Sequence, residues 1–316
     1  MIDIVIPCYN AHETIDRCIG SILSQRVLPS IHVTLVNDGG KSYEDVIKRY
    51  SSIMDIQEIG YKNNSGPATA RNFGLKNTKH DFIMFMDSDD ALANPFSVIN
   101  LVNEMHSDPN NVIVISNFLE EVAPLTIKLH DRDTSFMHGK MYKRSYLENN
   151  QIYAKEGSRN NEDVGFNILA LLNANPNEKI KYTDFTSYCW LFNPNSTVRK
   201  DKDRYDRSIS FRGFAENLTY VFEELNKRGK GDTPRIIAEK VTTMERLYLL
   251  FHEKTDGFPQ YKEGNLQAVK DYYHKIYKHI EHLVTEDLFD SVYHNLPFQG
   301  DEQLNKKEIR KFIKSL

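Results

Sequence analysis

An α/β fold, with a mixed but mainly parallel sheet flanked by helices and followed by an all-helical C-terminal domain, is the class this sequence predicts. Three observations carry it. Over the first 120 residues, short apolar runs alternate with stretches of helical periodicity, the pattern of a parallel sheet covered on both faces. Residues 82–86 (Phe-Ile-Met-Phe-Met) are uniformly apolar between Asp81 and Asp87, which marks a strand buried on both faces. Beyond residue 214 only helical periodicity remains. The expected domains are residues 1–208 and 209–316.

Taken in order, residues 2–6 form the first strand, and residues 11–24 a helix with Ile15, Cys18, Ile19, Ile22 and Leu23 on one face. Residues 31–36 are a second strand and 42–50 a helix with Ser42 as a cap. Residues 53–59 are a third strand. Gly66-Pro67 then breaks the chain ahead of a helix over 68–77. The buried strand 82–86 is followed by a helix over 95–105 and a strand over 112–117. Residues 139–147 read as helical, 162–172 as a helix capped by Asn160 or Asn161, and 182–192 as an antiparallel edge strand. The charge-dense stretch 199–207 reads as a linker or mobile loop. Helices follow over 214–227 (closed by Gly229), 236–252 after Pro234, 266–283, 286–296 and 306–316.

The 316 residues suffice for one large domain and a smaller one. The net charge of −4 is unevenly placed: residues 1–196 hold 18 Lys+Arg against 24 Asp+Glu, and residues 197–316 hold 22 against 20. Neither half is basic enough to announce nucleic-acid binding. Cys8, Cys18 and Cys189 lack metal-ligand or disulfide-framework spacing, which points to a reducing cytoplasm. No apolar stretch approaches the ~20 residues needed to span a bilayer, and the N-terminus reads as a strand, not a signal peptide. Any contact with a membrane is expected to be peripheral.

Chemistry is concentrated where strands end. In open α/β sheets ligands bind outside the carboxyl ends of the strands. The buried strand ends in Asp87-Ser88-Asp89-Asp90, and carboxylates so crowded repel one another until a cation joins them. Oxygen donors suit Mg²⁺ or Mn²⁺. Alternatively the cluster is a solvated turn capping the next helix. The second strand ends in Asn37-Asp38-Gly39-Gly40, where Asp38 is placed to accept from a base or ribose, although such a segment is often only a turn. The segment Asn64-Ser-Gly-Pro-Ala-Thr-Ala-Arg71-Asn72 feeds a helix whose N-terminus favours an anion, and Arg71 adds a fixed positive charge. It lacks the Gly-Lys-Ser/Thr of a phosphate loop.

In this order and spacing, Pro7-x-Tyr9-Asn10, Asn37-Asp-Gly-Gly40, Asn64-x-Gly-x-x-x-Ala-Arg-Asn-x-Gly-Leu75 and Phe85-Met-Asp-Ser-Asp-Asp90 resemble the family 2 glycosyltransferases of the Rossmann-like GT-A fold. The resemblance continues through Phe136-Met-His-Gly-Lys-Met-Tyr-Lys-Arg144 and Ser158-Arg-Asn-Asn-Glu162-Asp163, and covers about residues 1–200. It implies an inverting, metal-dependent transfer from a UDP-sugar. Pro7, Tyr9, Asp38 and Ser88 match nucleotide-side positions, and Arg71 one near the diphosphate. Asp87 and Asp89 match the DxD pair that holds ribose and Mn²⁺ or Mg²⁺, Asp90 matches an extra acid of variable role, and Asp163 matches the catalytic base. Glu162 supports the loop or the acceptor.

The residue types agree with that chemistry. A metal stabilises a leaving diphosphate, and a positioned carboxylate deprotonates the attacking hydroxyl. In the first turn of its helix Asp163 is expected to be stabilised as the anion by the helix dipole. His138 either reaches the diphosphate or packs. Arg199 or Lys202 either closes over the diphosphate or lies in a loop. The implied acceptor is a carbohydrate, a surface polymer such as a teichoic-acid-like chain, or a lipid-linked precursor. A hydroxylated base of viral DNA is a less favoured alternative, and a non-catalytic nucleotide-sugar binder a third. The helical C-terminal domain is open to oligomerisation, acceptor binding or membrane-surface contact. Its last helix is either a basic amphipathic surface or a terminal helix docked through Ile309, Phe312 and Ile313.

Overall fold

The computed structural model describes residues 1–27, 30–295 and 306–316, in two compact units, Met1–Pro194 and Asn195–Leu316. The first unit is built on a nine-stranded mixed sheet. Its strands are β1 (Ile2–Cys8), β2 (Ile31–Asp38), β3 (Asp55–Tyr61), β4 (Phe82–Phe85), β5 (Ala91–Leu92), β6 (Asn111–Ala123), β7 (Thr126–His130), β8 (Lys140–Lys143) and β9 (Lys179–Trp190), in the order β3-β2-β1-β4-β8-β6-β9-β5, with β7 paired to β6. The helices of this unit are α1 (Ile15–Leu23), α2 (Glu44–Tyr50), α3 (Pro67–Lys76), α4 (Ser97–His106), α5 (Arg144–Asn149) and α6 (Glu162–Asn173).

Alternation along the strands explains the layers. Ile4, Ile6 and Cys8 of β1, Val33 and Leu35 of β2 and Met84 of β4 point to one face, where they pack with Cys18, Ile19 and Ile22 of α1 and Leu101 of α4. Val5 and Val36 point the other way, under α3. There Gly74 lets the helix approach closely: a Cβ at this position would stand 2.3 Å from Val5 Cγ1 and 3.1 Å from Val36 Cγ2. Gly74→Ala is therefore expected to lower stability by ~1–3 kcal/mol, the usual range for overpacking. A urea midpoint measures this, and an unchanged midpoint would show that the helix can move away freely.

β1 runs parallel to both β2 and β4, so the chain leaves these three neighbouring strands at one edge of the sheet. That edge positions the site.

Three local expectations are corrected. Residues 139–147, read as a helix, divide into β8, which pairs antiparallel with β4 and β6, and α5. Strand pairing on both sides outweighs the helical pattern of so short a segment. The 182–192 stretch is not an edge: β9 runs parallel to β6 and carries the two-residue β5 beyond it. The 199–207 segment is helical, as α7 (Thr197–Lys200), α8 (Lys202–Arg204) and a π-helical turn (Tyr205–Ser210), and it belongs to the second compact unit. The β6–β7 hairpin has no counterpart in the sequence reading.

The second unit continues with α9 (Phe211–Lys227), α10 (Pro234–Thr255), α11 (Pro259–Tyr272), a π-helical turn (Tyr273–Tyr277), α12 (Lys278–Ile280), a 3₁₀ turn (Glu281–Leu283), α13 (Glu286–Asn295) and α14 (Lys306–Ile313). The sequence expectation for residue 296 lies outside the described residues. Phe214, Leu218 and Phe222 of α9, Val241 and Leu247 of α10, and Val269 and Tyr272 of α11 are buried. α14 is docked: Ile309 and Ile313 are buried, and the Phe312 ring lies 5.0 Å from Tyr248 and 5.5 Å from Phe251. Its apolar stripe is thus used internally. Among the described residues, no helix is long and apolar enough to cross a membrane.

Candidate functional site

Pro7 is the penultimate residue of β1, and Tyr9 follows the end of the strand with its side chain half exposed. The loop after β1 is anchored where Ala11 N–H donates to Tyr43 Oη at 2.8 Å. At the end of β2, Asp38 is 4% exposed. Its two oxygens accept from Ser65 N–H at 2.7 Å and Gly66 N–H at 2.9 Å. The expected base-facing carboxylate thus first holds the loop that opens α3. Gly39 is required beside it: its φ is +74°, and a Cβ would meet Asn64 N at 2.6 Å. A recess of about 570 Å³ opens between Asn37, Gly39, Gly40, Glu58 and Tyr61.

Arg71, on α3, is 5% exposed. Its Nη2 donates to Asp87 Oδ1 and its Nη1 to Glu162 Oε1, each at 2.6 Å. One guanidinium thereby joins three motifs far apart in the chain. Arg71 Nε has no partner among the described residues. Asp163 follows Glu162 in the first turn of α6, and its Oδ1 accepts from Val164 N–H at 2.8 Å.

The turn after β4 splits its acids. Asp87 N–H donates to Tyr188 Oη at 3.0 Å, and Tyr188 O–H donates to Asp90 Oδ2 at 2.7 Å. Asp90 Oδ1 accepts from Leu191 N–H at 2.9 Å, and the side chain is fully buried. Asp89 turns elsewhere, its Oδ2 accepting from Asn193 Nδ2 at 2.8 Å. Ser88 lies in the same turn, partly exposed. His138 is 5% exposed and stacks on Tyr188 at 4.7 Å. Carboxylate oxygens of Asp87 and Asp90 and a ring nitrogen of His138 all lie within 4.8 Å of one another. Asp89, expected as a metal ligand, is not in that cluster.

Burial and charge set the ionisation. Burial opposes ionisation of Asp87, but Arg71 prevails and its carboxyl lies below the usual range. Burial, then Asp87 and Asp89, push Asp90 far up, while burial and Asp87 raise Asp89. Burial lowers His138 to about 4 and the fully covered Lys140 to about 8. Lys140 spends its ammonium on the carbonyls of Phe136 and His138, a supporting part. For Asp163 the sequence expectation is corrected: burial and the neighbouring Glu162 carboxylate outweigh Arg71 and the Val164 N–H and raise its pKa to about 7. Helix-terminal stabilisation is worth only ~0.3–1 kcal/mol at exposed positions, less than these terms.

A buried bridge of Arg71 with two acids, a base-like carboxyl titrating near neutrality and a cluster of metal-type donors make a site suited to displacing a phosphate-linked leaving group from a hydroxyl nucleophile. The sequence did not expose the Arg71–Glu162 pair or the roles of Tyr188 and Asp90. Tyr188 carries no motif, and Asp90 read only as an extra acid.

Comparison with known proteins agrees with this geometry. A family model described as glycosyl transferase family 2 matches residues 3–168, more than half of the chain. The glycosyltransferase EpsJ of Bacillus subtilis is 29% identical over 222 residues, 62% of this chain and 62% of that protein. TarP of Staphylococcus aureus, a poly(ribitol-phosphate) β-N-acetylglucosaminyltransferase, is 30% identical over 207 residues, 59% of this chain and 62% of that protein. The alignments thus span about three fifths of these relatives' lengths. Among solved structures, S. aureus TarS 1–349 in complex with UDP-GlcNAc matches with a TM-score of 0.68 at 19% identity, covering 93% of this chain and 86% of that one. The shared fold is GT-A.

Proposed function

The chain belongs to glycosyl transferase family 2, and on that premise we propose that it transfers a sugar from a UDP-sugar to a hydroxyl of a surface polymer, with inversion at the anomeric carbon. The observation that carries this reading is the Arg71 bridge, which ties the Asp87 end of the sheet to Glu162 and hence to Asp163 in one place. The acceptor hydroxyl oxygen forms the new bond to the anomeric carbon as the bond from that carbon to the β-phosphate oxygen breaks. Asp163 takes the hydroxyl proton, and UDP leaves with the electron pair. Pro7, Tyr9, Ser88 and the Asp38-held loop stand at the strand ends where the nucleoside would lie, and Arg71 offers the positive charge nearest the diphosphate.

A divalent cation fits this end of the site. Burial first, and then the charges of Asp87 and Asp89, push Asp90 up, and a cation relieves the repulsive part. Asp87, the most exposed of the clustered ligands, would hold Mn²⁺ or Mg²⁺, which supplies Lewis-acid stabilisation of the leaving diphosphate.

The relatives support the choice of donor and acceptor: TarS has been crystallised with UDP-GlcNAc, and TarP and TarS act on poly(ribitol phosphate). UDP-N-acetylglucosamine and a teichoic-acid-like polyol phosphate are accordingly the first donor and acceptor to try, with lipid-linked precursors next. We further propose that the work is done in the cytoplasm, at the inner face of the membrane, with the first domain catalytic and the helical domain serving acceptor binding or oligomerisation. Calorimetry with UDP tests the donor side. Binding should be seen with Mn²⁺ and weaken when EDTA removes it, whereas metal-independent binding of equal strength would contradict the cation's part in holding the donor.

A further inference from the structure

We propose that Arg159 is a positioning residue that couples donor binding to the placement of Asp163, by tying the loop that opens α3 to the loop that leads into α6. The inference deepens the reading above and rests on it for the roles of the two loops.

The chain between α5 and α6 brings Asp163 to the site with little structure of its own. Residues 150–161 form neither helix nor strand. They bend through positive φ at Gly157 (+76°) and at Asn161 (+52°), the residue before α6. The shape of this loop is taken from the 64–72 segment beside it. Asn72 grips Ala154 twice: its Nδ2 donates to the Ala154 carbonyl and its Oδ1 accepts from Ala154 N–H, each at 2.9 Å. Thr69 Oγ1 accepts from Gly157 N–H at 3.3 Å. Arg159 donates from Nη1 to Asn64 Oδ1 at 2.8 Å and from Nη2 to the Asn64 carbonyl at 3.0 Å. Arg71 meets Glu162 at the far end. The loop is thus fastened at 154, 157, 159 and 162, and Asp163 comes next.

Of these contacts, the one made by Arg159 falls against the stretch that Asp38 holds. Asn64 immediately precedes Ser65 and Gly66, whose N–H groups donate to Asp38. The stem of Arg159 also lies over Gly66. A Cβ there would stand 3.1 Å from Arg159 Cγ and 3.2 Å from the Ser158 carbonyl oxygen. Gly66 is therefore bonded through its N–H to the nucleotide-side acid and covered, where a side chain would be, by the base loop. A planar guanidinium fork takes both Asn64 oxygens at once, which a single ammonium does poorly. Arg159 is exposed, so this clamp stands apart from the buried Arg71 bridge. Nucleotide bound at the strand ends restrains residues 64–66, Arg159 passes that restraint to 157–161, and Asp163 is set once the donor has arrived.

Hydrogen exchange of the full chain, with and without UDP and Mn²⁺, tests the coupling without turnover. In the wild type, nucleotide should slow exchange of the amides at 157–163 as well as at 63–66. Arg159→Ala should still bind UDP and keep the protection at 63–66, but lose it at 157–163. The same variant should lose ~10–100-fold in kcat, the scale of a misplaced catalytic group, with the KM for the donor little changed. Its pH–rate step should move below 7, because burial is what chiefly raises Asp163 and a loosened loop admits water. Arg159→Lys should recover part of the rate. Unchanged exchange at 157–163 when UDP binds the wild type overturns the coupling, and acceptor-dependent transfer by that protein would leave the proposed reaction standing. Coupled protection in a protein that transfers no sugar removes the reaction and keeps the clamp. A loss confined to UDP affinity, with kcat intact, would make Arg159 a nucleotide contact and overturns its positioning part. The wild-type exchange decides the coupling by itself, so poor folding of a variant does not blur the outcome.

Discussion

Asp163→Asn is expected to slow sugar transfer by ~10²–10⁴-fold, the usual contribution of a positioned general base, while leaving UDP affinity unchanged. Asn keeps the shape and can still accept from Val164 N–H, so the helix start that Asp163 belongs to should survive. The pH dependence gives an independent reading. With a pKa of about 7, Asp163 is protonated and idle in acid and becomes the base as pH rises through neutrality. The wild-type rate should therefore climb to a plateau above pH 7, and the residual rate of Asp163→Asn should lack that step. Stability runs the opposite way. The folded-state pKa is raised above the ~3.9 of an unfolded Asp, so the contribution to stability is full below that value and is lost as pH rises through about 7. Above pH 7 the Asn variant should be the more stable protein, as expected where function is maintained against folding.

Arg71→Ala should produce the largest loss of stability, ~3–5 kcal/mol, because removing one partner of a buried ion pair leaves uncompensated charge behind. Here two carboxylates, Asp87 and Glu162, lose the same cation. Denaturant unfolding measures the effect, and a loss below about 1 kcal/mol would mean that water or rearrangement satisfies both acids. Lys at this position should restore little, because a single ammonium cannot reproduce the planar fork that meets two carboxylates at 2.6 Å each. Asp163 provides a local reporter. Arg71 holds its pKa down, so the step in the pH–rate profile should move above 7 in any Arg71→Ala protein that folds.

How much of this could be read from the sequence depends on the range of the interactions concerned. The first strands and helices were readable because the apolar runs 2–6, 31–36 and 82–86 alternate with helical periodicity, the last of them apolar enough to declare burial on both faces. The acids ending the last of these, with Arg71 and Glu162-Asp163, were readable as motifs of fixed order. The errors lie where pairing partners decide. Residues 140–143 became a strand because β4 and β6 stand on either side, a fact absent from the local pattern. Residues 91–92 and the 126–130 hairpin arm are too short or too exposed to declare themselves. Within the site, motif order placed Asp38, Asp87 and Asp89 at strand ends, but side-chain direction depends on contacts with Ser65, Arg71 and Asn193. Asp163 was misjudged electrostatically for the same reason, since burial and the Glu162 charge are tertiary facts.

The central claim is acceptor-dependent sugar transfer with Asp163 as base, and UDP release measures it most directly. The wild-type protein and Asp163→Asn would each be incubated with Mn²⁺, the proposed donor and the proposed acceptor. The account predicts UDP release that requires acceptor in the wild type and falls at least about a hundredfold in the variant. Equal release by the two proteins, or none above background from any UDP-sugar and acceptor hydroxyl tried, would contradict it.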